Sequence, residues 1–128
     1  MVRTLLAAAL ATTLMTPAQA DEAMSAQLVD CSFIVPLSDM FFADDPSTLQ
    51  DATIVSADYQ ATAMRHAAFE GHGQPAAYVA EMAAAKKDNW MSRDPSWLEQ
   101  SEYRDWVGFC RIVGQKAGVV VSPLNVSG

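Results

Sequence analysis

Two histidines and a glutamate lie close together near the middle of this 128-residue chain and are its best candidates for metal chemistry. His66 and Glu70 are four residues apart, so they share one face of a helix, and His72 follows in a glycine-flanked turn. Imidazole and carboxylate groups bind zinc and copper, and the nearby thioether of Met64 would suit copper(I). The pattern allows a copper or zinc binder. Without HExxH, it also fits a solvated His–Glu pair beside an exposed turn, which is the interpretation we favour.

Three tryptophans lie within a short stretch of the second half and form a candidate surface for a protein partner. Trp90 and Trp97 flank a loop that contains Arg93, and Arg104 lies seven residues after Trp97. Tryptophan and arginine dominate the binding energy of many protein interfaces. The alternative, which we favour, is that the rings cover the last core layer at one end of a helical bundle.

No residue of the chain is assigned a catalytic role. There is no GxSxG motif, no glycine-rich phosphate loop and no CxxC pair. The many carboxylates leave a small carboxylate-dependent hydrolase as a further alternative. We expect a non-enzymatic protein-binding module, of the inhibitor, immunity or chaperone type, that carries no cofactor.

The first twenty residues have the three-part order of a secretory signal peptide. A basic Arg3 precedes the apolar run Leu5–Met15, and Pro17–Ala20 gives a small-residue end before the acidic Asp21. We expect cleavage after residue 20, a periplasmic or secreted location in a bacterium, and no membrane insertion of the remaining chain.

Residues 21–128 would carry seven basic and fifteen acidic residues, a formal charge of −8. Because nucleic-acid affinity comes largely from lysine and arginine on phosphates, a nucleic-acid partner is not expected. The two cysteines, Cys31 and Cys110, have a single intramolecular pairing available, and an oxidising compartment favours it. The bond would join the first segment of the domain to the last.

The clearest helix is predicted from Ser96 to Ala117, with Ser96 as its N-cap and Gly118 as its stop. Its apolar residues recur at helical spacing and form one stripe. The stripe comprises Tyr103, Trp106, Val107, Cys110, Val113, Gly114 and Ala117. Cys110 should therefore point into the core.

Two further helices are predicted upstream. One covers Pro75–Asp88, and its inner face consists of Tyr78, Val79, Met82 and Ala85. The other covers at least Ser56–Glu70 and ends at Glu70, with Gly71 as its terminator. A start as early as Ser47, after Asp45-Pro46, is left open.

The segment from Asp21 to Phe42 is predicted to be helical to about Val35, where Pro36 should kink the helix or divide it in two. A short strand over residues 33–35 is the alternative, but the helical register of Cys31 favours the helix. Residues 119–128 are predicted to be an extended or disordered tail. The expected architecture is one all-α domain, residues 21–118, of about four helices stapled by Cys31–Cys110.

Overall fold

The computed structural model describes residues 22–42 and 44–119. This part of the chain forms four α-helices and one short 3₁₀ helix, and it contains no strand. The helices are α1 (Met24–Phe42), α2 (Pro46–Phe69), α3 (Pro75–Met91), the 3₁₀ helix (Pro95–Glu99) and α4 (Ser101–Ala117). The prediction of a small all-α bundle is confirmed. The predicted signal peptide and all of the predicted tail except Val119 lie outside the described residues.

Helix α1 lies at the centre of the bundle. Every residue from position 25 to position 34 is buried, and α1 contacts each of the other three α-helices. A helix with neighbours on all sides buries its whole circumference instead of one stripe, so its polar residues are buried as well. These are Ser25, Gln27, Asp30 and Ser32.

Helix α1 continues through Pro36 to Phe42, so of the two predicted alternatives, a kink or a division, the division into two helices is wrong. A proline within a helix removes one N–H donor from the hydrogen-bond ladder. The hydroxyl of Tyr103 forms two hydrogen bonds with the backbone of α1 beside Pro36. It donates to the carbonyl of Ile34 at 3.0 Å and accepts from the amide of Ser38 at 3.3 Å. These two backbone groups are an i, i+4 pair that flanks Pro36, so α4 supports α1 where proline weakens it.

The boundaries of α2 and α3 follow local sequence signals. Asp45 caps α2 by accepting the Thr48 amide at 2.9 Å, which confirms the early start, and α2 ends just before a glycine with φ 98° at position 71. Helix α3 runs to Met91 and is three residues longer than predicted. Its predicted inner face is correct except at Ala85, which is exposed, whereas Ala83 packs against the core.

The last predicted helix is divided in two. Residues 95–99 form the 3₁₀ helix, the chain is extended at Gln100, and α4 begins at Ser101. Asp94, not Ser96, is the capping residue, because its carboxylate accepts the Ser96 amide at 2.9 Å. The break brings the Trp97 and Leu98 side chains into the core.

The predicted stripe of α4 is confirmed. Five of its residues are buried, while Val107 and Ala117 are half-buried, and Gly118 ends the helix with φ 82°. The predicted disulfide between Cys31 and Cys110 is also confirmed, with a Cα–Cα distance of 5.4 Å and both side chains fully buried. Since Tyr103 meets α1 near Pro36 and Cys110 meets it at Cys31, α4 runs antiparallel to α1.

None of the helices in the described part of the chain is long and apolar enough to cross a membrane.

Candidate functional site

Glu70, one of the predicted metal ligands, has a structural partner. Its carboxylate accepts the backbone amide of Ser25 at 3.1 Å and the hydroxyl of Ser25 at 2.6 Å. Ser25 lies in the first turn of α1, where backbone N–H groups have no partner within the helix. Glu70 therefore caps α1 from the far end of α2. Its Oε1 atom is 3.9 Å from Nε2 of His72.

The two histidines are engaged in separate contacts. Nε2 of His66 lies 3.3 Å from the carbonyl oxygen of Ala117, and the His72 ring stacks on Tyr78 with 3.6 Å between ring centroids. Met64 packs against the hydrophobic core. Within residues 22–42 and 44–119, no group of three or more His, Cys, Asp or Glu side chains could hold a metal ion. The predicted ligands do not converge on one point.

The tryptophan surface is corrected by the structure, because its rings belong to the core. Trp90 is 3% exposed and Trp97 is 6% exposed. Trp90 also packs edge-to-face on Trp106, with 5.0 Å between ring centroids. The guanidinium carbon of Arg93 lies 4.4 Å from both the Trp90 and Trp97 ring centroids. Cation–π attraction thus holds the loop between α3 and the 3₁₀ helix against the bundle.

Arg104 does not join this cluster as a binding group. It is exposed and donates to the carbonyl oxygen of Glu99 at 3.2 Å, next to the break between the 3₁₀ helix and α4. The indole N–H of Trp97 donates to Glu102 at 2.9 Å. The interpretation that the aromatic rings close the core is the correct one.

A buried carboxylate lies between α1 and α3, and the sequence analysis did not identify it. Asp30 is 4% exposed and accepts Nζ of Lys86 at 3.1 Å and Nε1 of Trp90 at 2.9 Å. Lys86 also lies 3.6 Å from the Glu22 carboxylate. Burial, followed by the charge of Asp30 and its hydrogen bond, raises the pKa of Glu22, whereas Lys86 opposes the increase. The signal that could have revealed this cluster is a single acid inside the apolar run of α1.

A cavity of about 290 Å³ lies where α1, α2 and α3 meet. Most of its wall is apolar. The apolar wall is formed by Phe33, Met40, Ala83, Ala84 and Met91, and the polar part by Ser56, Gln60 and Lys87. The Gln60 side-chain amide donates to the hydroxyl of Ser32 at 3.2 Å, which fixes that side of the wall.

Lys86 and Lys87 differ in their surroundings. Lys86 contacts two carboxylates, those of Glu22 and Asp30. Lys87 forms no ion pair with any of the described residues, and it is exposed while lining the cavity. The cavity therefore has a mostly apolar wall and includes one lysine that has no ion-pair partner among the described residues.

At the other end of α2, Phe69 projects from the surface. It is 83% exposed, more than any other large apolar side chain in the described ranges, and it makes an edge contact with the His66 ring. The backbone beside it is locked by two bonds, from the Gly71 amide to the Ala68 carbonyl and from the His72 amide to Ala67. These are the two bonds of a Schellman motif.

The architecture defines a class, a small all-α bundle closed by one disulfide, with an apolar cavity and a protruding phenylalanine. No protein-family model, curated protein or solved structure matches the chain.

Proposed function

We propose that this chain is an exported, non-enzymatic protein-binding module that contacts its partner through Phe69. The observation that supports this proposal is the 83% exposure of an aromatic side chain in a bundle whose three tryptophans all face the core. A large apolar group that inserts into a partner's pocket, surrounded by polar groups, is the usual energetic centre of an interface. The His66 ring contacts Phe69, and Glu70 and His72 are polar residues that follow it directly in the chain.

Rigidity of the backbone supports the same role. The Schellman motif fixes the chain directly after Phe69, and Glu70 is held by two hydrogen bonds to Ser25. An anchor that is already fixed before binding loses little conformational entropy in the complex. The backbone that carries Phe69 is therefore already ordered before binding.

The negative charge of the chain indicates the sign of the charge on the partner's binding surface. Without its first twenty residues the protein carries a formal charge of −8, from seven basic and fifteen acidic residues. Complementary charge speeds association and disfavours wrong partners. The partner we propose is a folded protein with an apolar pocket flanked by lysine and arginine.

Export is part of the proposal. The buried Cys31–Cys110 disulfide supports it, since such bonds persist in oxidising compartments, and so does the signal-peptide pattern of the first twenty residues.

Site-specific photocrosslinking tests the contact. Phe69 is replaced by a photoreactive phenylalanine analogue in the exported protein, and Ile112, an apolar residue of α4 that is 54% exposed, is replaced in a matched control. We expect one discrete protein adduct at position 69 and none at position 112. Excess wild-type protein should suppress the adduct, and excess Phe69→Asp protein should not.

Affinity measurements with the identified partner complete the test. Phe69→Ala should weaken binding by about thirtyfold, the effect of losing a hot spot, while Ile112→Ala should change it by less than about threefold. Equal adducts at both positions, or equal losses of affinity, would exclude Phe69 as the anchor.

A further inference from the structure

The cavity between α1, α2 and α3 has the size of a small ligand site. Its volume of about 290 Å³ is just below the lower limit of the range for ligand pockets, roughly 300–1,000 Å³. Two methionines, one phenylalanine and two alanines form the apolar wall. Methionine side chains adapt to irregular apolar shapes, so this wall suits a flexible alkyl chain.

The polar part of the wall indicates the charge of the ligand. Lys87 is the one charged residue in the lining, and it has no carboxylate partner within the described residues. Ser56 adds a hydroxyl group and Gln60 an amide on the α2 side. An ammonium group forms its strongest hydrogen bonds with anionic oxygens.

We propose that this cavity binds a free single-chain carboxylate amphiphile, with the alkyl chain among Phe33, Met40 and Met91 and the carboxylate paired with Lys87. The limited volume favours one chain over the two chains of a phospholipid. The site is separate from Phe69, because Gln60 and Phe69 are nine residues apart on α2, or about 13 Å along its axis.

Calorimetric titration with decanoate, below its micelle concentration, tests the proposal, with decanol as the uncharged ligand of equal chain length. We expect decanoate to bind with a dissociation constant on the order of 10 µM and decanol about tenfold more weakly. No decanoate binding at 1 mM would overturn the proposal.

Two variants test separately the part of the site that binds the carboxylate and the part that binds the alkyl chain. Lys87→Gln should weaken decanoate binding about tenfold and leave decanol unchanged, while Ala83→Leu, which fills the cavity, should abolish both. The matched controls are Lys116→Gln on α4 and Ala77→Leu on the exposed side of α3. Equal effects of Lys87→Gln and Lys116→Gln would show general charge attraction and contradict the site.

A melting curve shows that each variant is folded. Anionic phospholipid vesicles are the second ligand class, and they distinguish a membrane surface from a free amphiphile as the source of the anionic group. Binding to anionic phospholipid vesicles that Lys87→Gln removes, without decanoate binding, would overturn the free-amphiphile proposal. The Phe69→Ala protein should bind decanoate normally, so failure of this proposal is distinguishable from failure of the proposed function.

Discussion

The phenolic oxygen of Tyr59 lies 2.7 Å from the position that a Cβ atom at Gly114 would occupy. Tyr59 is 1% exposed, and its hydroxyl donates to the carbonyl of Cys110 at 3.2 Å. Burial raises the pKa of Tyr59, so the phenol stays neutral at physiological pH. The close approach of α2 to α4, next to the disulfide, therefore depends on the absence of a side chain at position 114.

Gly114→Ala should destabilise the fold by about 1–3 kcal/mol, because the added methyl group meets a buried ring that cannot move freely. Gly108 provides the matched control. It lies in the same helix with nothing within 4 Å of its Cβ position, so Gly108→Ala should stabilise α4 by about 0.5–1 kcal/mol. Urea unfolding gives both values, and effects of the same sign would contradict the packing at Gly114.

Loss of the disulfide should strongly lower the melting temperature. The bond joins residues 79 positions apart, and the loop-entropy relation assigns such a bond roughly 4–5 kcal/mol. The double variant Cys31→Ala, Cys110→Ala should melt well below the wild type in a thermal scan. A decrease of only a degree or two would show that the bond contributes little.

Tyr103→Phe should cost about 1–3 kcal/mol, since it leaves two backbone groups beside Pro36 without the bridging hydroxyl. Tyr78→Phe is the control, because no hydrogen bond of its hydroxyl is found among the described residues. Denaturant unfolding of both variants measures the difference. A cost for Tyr103→Phe as small as that of the control would contradict the bridging role.

Glu22 should make stability depend on pH. Its pKa is raised above the usual value of 4.5, chiefly by burial, so the folded state binds the proton more tightly than the unfolded chain. The contribution is complete below the unfolded pKa and is lost as the pH rises through the folded value. Glu22→Gln, which imitates the protonated acid, should stabilise the protein more at pH 7 than at pH 4, relative to wild type.

Urea unfolding of both proteins at the two pH values makes this comparison. Lys86 and Asp30 are the charged groups that face Glu22, and both remain in the variant. A difference between the proteins that does not change with pH, or that grows towards pH 4, would contradict the assignment.

The spacing of apolar residues and the helix-capping residues predicted those parts of the fold that depend only on residues close together in the sequence. The stripe from Tyr103 to Ala117, the stop at Gly118 and the start of α3 at Pro75 follow from spacing and capping alone. The pairing of Cys110 with Cys31 could also be predicted, because the sequence has two cysteines and the stripe directs Cys110 into the core.

The remaining features depend on contacts distant in sequence. Whether Trp90 faces solvent or the core depends on Asp30, sixty residues earlier, which accepts its indole N–H. Glu70 matches a metal ligand in the sequence, but its partner Ser25 is 45 residues away. The cavity arises from the relative placement of three helices, which no single-helix pattern specifies. The high exposure of Phe69 likewise depends on how neighbouring helices pack.

The capping of Ser25 by Glu70 has a consequence for the order of folding. Helix α1 is made first, yet its cap comes from α2, its buried charge is paired by α3, and its cysteine is bonded by α4. The native surroundings of α1 are therefore incomplete until the last helix has emerged. We expect a chain built this way to complete its core only after α4 has been made, so the last helix should control when α1 becomes stably packed.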